Sequence, residues 1–172
     1  MDTPVPSIAV RDEQPGDIDA IREVNRQAFG QELEGRIVDG LRAAGAATLS
    51  LVAVADRAVV GHIMFSPATV GSLLGAALGP MAVAPAHQRH GIGSQLVRSG
   101  VDRLRASACP FIVVIGHPAF YPRFGFVPAG AQGLTCDWDV PAEAFLVNLL
   151  TPEVAGQLRG RVEYRAEFSK TE

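Results

Sequence analysis

The stretch HQRHGIGSQL, residues 87–96, sets two histidines, an arginine and a G-x-G pair directly ahead of an amphipathic segment. Upstream, LGPMAVAP (78–85) reads as a short strand ended by a proline. Downstream, Ile92, Leu96, Val97, Val101 and Leu104 form one apolar face, which predicts a helix over 92–106. Strand, proline, polar turn, glycines and helix in this order have a physical use. The first helical turn leaves N–H groups without intrahelical partners, and the macrodipole makes that end positive. Glycines at 91 and 93 remove two Cβ atoms, so an anion can approach the backbone. Each anion–helix interaction contributes roughly 0.3–2 kcal/mol, so several N–H groups can hold a diphosphate without any lysine.

Two phosphate loops are excluded. The P-loop needs Gly-Lys-Ser/Thr, which does not occur, and the dinucleotide fingerprint needs a third Gly or Ala where Leu96 stands. That fingerprint also opens an early βαβ unit, whereas this turn sits mid-chain after antiparallel-looking strands.

Working outward, SIAVRD (7–12) suits a first strand. PGDIDAIREVNRQAF follows with Ile18, Ile21, Val24 and Phe29 near helical spacing and Asp17 as a cap. ELEGRIVDGLRAAG repeats the pattern with Leu33, Ile37, Val38 and Leu41, and Gly45 stands at its stop. TLSLVAVA and AVVGHIMFSPATV are strands joined through Asp56-Arg57, and PFIVVIG (110–116) has the continuous apolar character of a strand buried on both faces. HPAFYPRFGFVPAG is a short aromatic turn returning into a strand. EAFLVNLL and RVEYRAEF are further strand candidates around one helical turn, PEVAGQL. The order β-αα-β-β-β-α-β-α-β predicts one mixed α/β sheet, and no repeat or linker divides residues 1–172.

Composition narrows the function classes. The chain has 172 residues, 48% of them hydrophobic, and a formal net charge of −3, so it reads as soluble and globular with no basic field for nucleic acid. Lys170 is the sole lysine, and the alanine- and arginine-rich usage reads as that of a GC-rich bacterium. Cys109 and Cys136 stand apart and read as reduced thiols; no metal-ligand cluster is visible. MDTPVPSIAVRDEQ lacks a leader pattern and no window reaches the roughly 18 apolar residues of a membrane span, so a cytoplasmic protein is expected.

QRHGIG (88–93) matches the Q/R-x-x-G-x-G/A signature of the GNAT superfamily of acetyl-CoA-dependent N-acetyltransferases. MAVAP before it resembles that family's cofactor-contacting strand, and FYPRFGF (120–126) resembles its Y-x-x-x-G-F block. The three elements fall in the family's order, and the resemblance covers the whole chain. It is closest to small bacterial members carrying a GHP…YPRFGF segment. The fold implied is the GNAT fold, a central mixed, mostly antiparallel sheet splayed between two parallel strands (78–84 and 111–116) and flanked by helices.

The same resemblance implies acetyl-CoA as cofactor. Met81, Ala82 and Val83 would contact the pantetheine arm and acetyl oxygen. Gln88, Arg89, His90, Gly91, Ile92, Gly93 and Ser94 would receive the diphosphate. It implies direct attack of a primary amine, small-molecule or peptide, on the thioester, with the Val83 N–H stabilising the charge on the acetyl oxygen. Tyr121 matches the proton donor; its other reading is an aromatic packing residue. No ionisable side chain occurs in LGAALGPMAV, so the base is open. His117 is a candidate for base or positioning group, or else a capping histidine. His62 faces either the cleft or the interior. Glu32 and Glu34 start the helix that lines the acceptor side in the family, or are solvated carboxylates, and a water chain serves equally. A homodimer is compatible with the family. A non-catalytic acyl-CoA-binding module of the same fold is the alternative function, and an unrelated α/β domain remains if QRHGIG is accidental.

Overall fold

The computed structural model describes residues 7–169; the opening six residues and Lys170, both read above, lie outside that range. Strand β1 (Ile8–Asp12) leads through a 3-10 turn to helix α1 (Ile18–Phe29), then α2 (Leu33–Ala43). Asp17 stands at the N-cap position of α1, but its carboxylate does not cap that helix. It accepts from the Gln14 N–H at 2.7 Å and from Arg11 at 2.7 and 3.0 Å, closing the preceding turn instead. Strands β2 (Leu49–Ala55) and β3 (Ala58–Val70) form the hairpin expected at Asp56-Arg57, whose residues take φ of 48° and 67°. Two left-handed residues match the twist of a two-residue hairpin.

Strand β4 (Leu73–Val83) begins five residues before the expected start. LLGAA carries neither β-branching nor alternation, so its pairing with β3 rather than local propensity makes it extended. Helix α3 spans Ile92–Ala106, and β5 spans Phe111–Ile115. Short strands β6 (Val127–Pro128) and β7 (Leu134–Thr135) precede β8 (Phe145–Leu149) and β9 (Gly160–Glu163). The expected strand RVEYRAEF therefore ends at Glu163, and a 3-10 turn over Ala166–Ser169 follows.

The sheet runs β1-β2-β3-β4-β5-β8-β6, with β9 joining β3 and β7. Every pairing on the main path is antiparallel except β4–β5. Period-two alternation divides the core. Ile63 and Phe65 face α3, where Leu96, Val97, Val101 and Leu104 pack, while Val52 and Met64 face Ile21, Val38 and Leu41 of α1 and α2. Gly100 sits where α3 crosses the Phe65 ring; a Cβ there would collide with that ring, so the close crossing depends on this glycine.

The feature that positions the site is a failure of pairing. Strands β4 and β5 are in register only at Ala76↔Ile112 and Ala77↔Val113. Beyond Ala77 the β3–β4 register moves from Phe65↔Leu78 to Ile63↔Met81, so Gly79 and Pro80 stand opposite Met64 alone. Two residues facing one is a bulge, which bends its strand. Past this point β5 pairs only with β8, at Val114↔Leu146 and Ile115↔Phe145, and a wedge opens between the parallel strands.

Candidate active site

The wedge exposes backbone in a definite pattern. The Ala84 N–H donates to the Val60 carbonyl at 2.8 Å, which makes that pair hydrogen-bonded. Hydrogen-bonded pairs alternate in an antiparallel ladder, so His62↔Ala82 is also bonded, whereas Gly61↔Val83 and Ile63↔Met81 are not. Met81 and Val83 thus turn their N–H and C=O groups away from β3 and into the wedge. Ala82 turns its own towards His62, and its side chain is buried. Of the three residues expected to bind the cofactor here, the ladder frees the main chain of Met81 and Val83 and uses that of Ala82. The Gln88 side-chain amide donates to the Val83 carbonyl at 2.9 Å, so Gln88 ties the cradle to β4 and leaves the Val83 N–H open.

The cradle follows at the end of β4. Arg89 and Gly91 both take left-handed conformations, φ 65° and 79°, and Gly91 is the N-cap of α3. The N–H groups of Ile92, Gly93 and Ser94 are the free donors of the first turn. They border a cavity of about 340 Å³ walled by Val83, His87, Gln88, Arg89, Phe120 and Arg123 besides Gly91–Ser94. A Cβ on Gly93 would project to within 3.6–4.0 Å of Phe120, Met81 and Val83, so glycine keeps the passage open there. No carboxylate is among these lining residues, while Arg89 and Arg123 are. His90 is not in the wall.

A second cavity, of about 690 Å³, fills the wedge itself. Leu78–Met81 form one side, Val114–His117 the other, and Tyr121 lies between them. The two cavities adjoin, since Met81 lines the larger and Val83 the smaller, and the Phe120 and Tyr121 rings meet edge-on at 5.0 Å. Tyr121 is only 6% exposed and also meets Phe126 edge-on at 5.6 Å. Pro122 opens a 3-10 turn over Tyr121–Phe124, and Gly116 lies so close beneath the ring that a Cβ would come within 2.5 Å of it. Burial pushes the Tyr121 phenol up to about 12, so it holds its proton at neutral pH.

The remaining expected residues separate. His117 is exposed and lines the large cavity, and its carbonyl accepts from the Phe120 and Tyr121 N–H groups at 3.1 and 3.4 Å. Glu34 lines the same cavity and takes a 2.9 Å bond from Gln31. Glu32 does not; it pairs with Arg36 at 3.1 Å in a separate, ion-paired groove between α1 and α2. His62 is absent from the cavity wall. It is 0% exposed, with Nε2 2.8 Å from Ser50 Oγ and Nδ1 without a partner.

Sequence reasoning missed Phe120 and Arg123 at the cradle and Phe29, Trp138, Asp139, Tyr164 and Phe168 around the large cavity. Arg123 had a signal, lying within FYPRFGF, where its guanidinium sits over the Phe120 ring at 5.1 Å. Phe120 opens the same motif; the residues around the large cavity had no signal, because they are brought in from distant parts of the chain.

Burial pushes the His62 imidazole down to about 4, the opposing charges of Glu13 and Arg42 coming next and Asp17 after them. The unfolded chain then takes up the proton first as pH falls. Neutral His62 contributes its full stability above about 6.5, and that contribution is lost between about 6.5 and 4. Denaturant unfolding from pH 7 to 4 should show the wild type losing about 3 kcal/mol more than His62→Gln. Equal losses would mean that His62 is already solvated in the native state.

A mixed sheet opened between two parallel strands, with a helix N-terminus at the mouth, is the architecture of acetyltransferases of the GNAT class. The chain belongs to that family: the acetyltransferase (GNAT) family model matches residues 18–126. It is 35% identical over 164 residues to the uncharacterised N-acetyltransferase YhbS of Escherichia coli K12, covering 94% of this chain and 98% of YhbS. To YjhQ of the same strain, also an uncharacterised N-acetyltransferase, it is 40% identical over 134 residues, 74% of each chain. The structure of E. coli YhbS in complex with CoA superposes with a TM-score of 0.92 at 33% identity, covering 100% of this chain and 97% of that one. A GNAT acetyltransferase from Brucella melitensis in complex with acetyl-CoA gives 0.80 at 37% identity, covering 95% and 99%.

Proposed function

We propose that the 172 residues act as one cytoplasmic N-acetyltransferase domain that moves the acetyl group of acetyl-CoA to a primary amine by direct attack. One observation carries this reading. The free donors of the α3 N-terminus, the main chain of Met81 and the N–H of Val83, which β3 leaves unbonded, and the Tyr121 ring border two adjoining cavities. That is the layout a diphosphate, an extended arm and a thioester require in sequence. The YhbS and Brucella relatives, held with CoA and acetyl-CoA, support the same cosubstrate here.

Acetyl-CoA supplies an activated acyl group; the protein supplies position and charge. The N–H groups of Gly91–Ser94, with Arg89 and Arg123, hold the diphosphate. Met81 bonds the arm through its main chain, and the Val83 N–H faces the negative charge that develops on the acetyl oxygen. Tyr121 gives a proton to the departing sulfur. An alkylammonium with a pKa near 10 must first lose a proton, at a cost of about 4 kcal/mol at pH 7, and His117 or cavity water receives it.

The test is acetyl-CoA turnover across a library of primary amines, following thiol release and acetylated product together. At least one amine should yield product in step with free CoA. Tight acetyl-CoA binding with no product from any amine would leave the non-catalytic module, and absence of binding would overturn the reading entirely.

A further inference from the structure

One part of the wall of the large cavity is assembled from three separate pieces of chain. Phe29 comes from α1, Trp138 from the segment before Val140, and Tyr164 and Phe168 from the residues after β9. Trp138 meets Tyr164 edge-on at 4.8 Å, and Tyr164 meets Phe168 edge-on at 5.9 Å. Two carboxylates, Glu34 and Asp139, share this wall, and no arginine or lysine does. Nearby cations are spent elsewhere: Arg161 is held by Asp137 at 2.6 Å and Arg165 by Glu167 at 2.9 Å. Among the described residues neither Glu34 nor Asp139 has an ion-pair partner, and the two side-chain bonds to Glu34, at 2.9 and 3.3 Å, both come from the neutral amide of Gln31.

Aromatic walls with unpaired carboxylates attract a cation attached to apolar surface, through charge and through the ring faces. They repel a ligand that brings its own carboxylate, since like charges set together in an interface cost several kcal/mol. The volume, about 690 Å³, must also admit the thioester end of the cosubstrate, which leaves room for a small molecule.

Building on the acetyl-transfer reading, we infer that the acceptor is a small primary monoamine with an apolar, ring-sized body and no acidic group. Glu34 and Asp139 draw in its ammonium, and the rings of Phe29, Trp138, Tyr164 and Phe168 pack its body. Amino acids and peptide N-termini are disfavoured, the first by charge and the second by space, and a short diamine lacks the apolar body that would fill the space between the rings.

The experiment compares kcat/KM for 2-phenylethylamine, L-phenylalanine, putrescine and a trialanine amide. The first should exceed L-phenylalanine by about 10²-fold, the size of a like-charge penalty. The E34Q/D139N double variant should reduce that ratio to about 10-fold or less by removing the repulsion. Trp138→Ala should raise KM for 2-phenylethylamine about 10-fold and leave kcat and acetyl-CoA affinity nearly unchanged, as loss of a large aromatic contact predicts. Preference for any of the other three amines, or an unaltered ratio in the double variant, overturns the inference while leaving acetyl transfer standing. If acetyl-CoA stays intact with every amine, it is the activity reading that fails. Calorimetry of 2-phenylethylamine and L-phenylalanine into CoA-saturated protein then decides the pocket separately. Tighter binding of the former supports the inference; equal or reversed binding overturns it.

Discussion

Tyr121→Phe should slow acetyl transfer by about 10²–10⁴-fold, the range for a positioned acid–base group, with the affinity for acetyl-CoA nearly unchanged. Phenylalanine keeps the edge-on contacts to Phe120 at 5.0 Å and to Phe126 at 5.6 Å, so the fold and the cavity wall survive the change. Only the hydroxyl is lost. With burial holding the phenol at about 12, Tyr121 stays protonated throughout the physiological range. Its own titration therefore removes no activity until pH approaches that value. A phenol so weakly acidic cannot end as phenolate. The proton it passes to sulfur must be replaced by one from the amine nitrogen, which becomes acidic once bonded to the acetyl carbon. Single-turnover rates for the two proteins, with calorimetry on each, separate chemistry from binding. An unaltered rate would make Tyr121 a packing residue.

Gly91→Asp should weaken acetyl-CoA binding by about 10²-fold or more and leave the fold in place. No atom lies within 4 Å of a Cβ built at Gly91, so the side chain fits. The backbone φ of 79° adds about 1–2 kcal/mol of left-handed strain, which aspartate and asparagine tolerate better than other residues. The new carboxylate would stand at the N-cap of α3, where the diphosphate is expected. Gly91→Asn supplies the matched control, with the same strain and shape but no charge, and should raise Kd by no more than about 10-fold. Calorimetry on the three proteins gives the answer. Equal affinity in wild type and Gly91→Asp would remove the diphosphate from this cradle.

Much of this was legible in the chain because the deciding contacts are local. Helix α3 occupies the residues predicted for it, 92–106, since its apolar stripe and its glycine start lie within one short stretch. The hairpin at Asp56-Arg57 and the strand at 110–116 were legible for the same reason. Local signals misled where a tertiary partner took over. Asp17 looked like a helix cap, but Arg11 and the Gln14 N–H hold its carboxylate. Leu73–Ala77 carried no strand pattern, yet pairing with β3 extends it. RVEYRAEF was a candidate for one strand, but of its residues only Arg161, Val162 and Glu163 find partners, at β3 and β7.

The candidate site divides along the same line. A glycine-bounded helix start after a strand and a proline needs only neighbouring residues, so the sequence alone determined the cradle, the cosubstrate class its motif resembles and the membership of the family. It also placed Tyr121 beside that cradle through FYPRFGF. Which histidine or glutamate faces the large cavity was beyond it, because burial is a property of packed elements. Tertiary structure put His62 against Ser50 inside the sheet, sent Glu32 to an outer groove with Arg36, and left Glu34 and His117 on the cavity wall. Only it could bring Phe29 to Trp138, Asp139, Tyr164 and Phe168, more than a hundred residues further along the chain. They meet only because separate elements pack around one cavity, and no spacing along the chain encodes that.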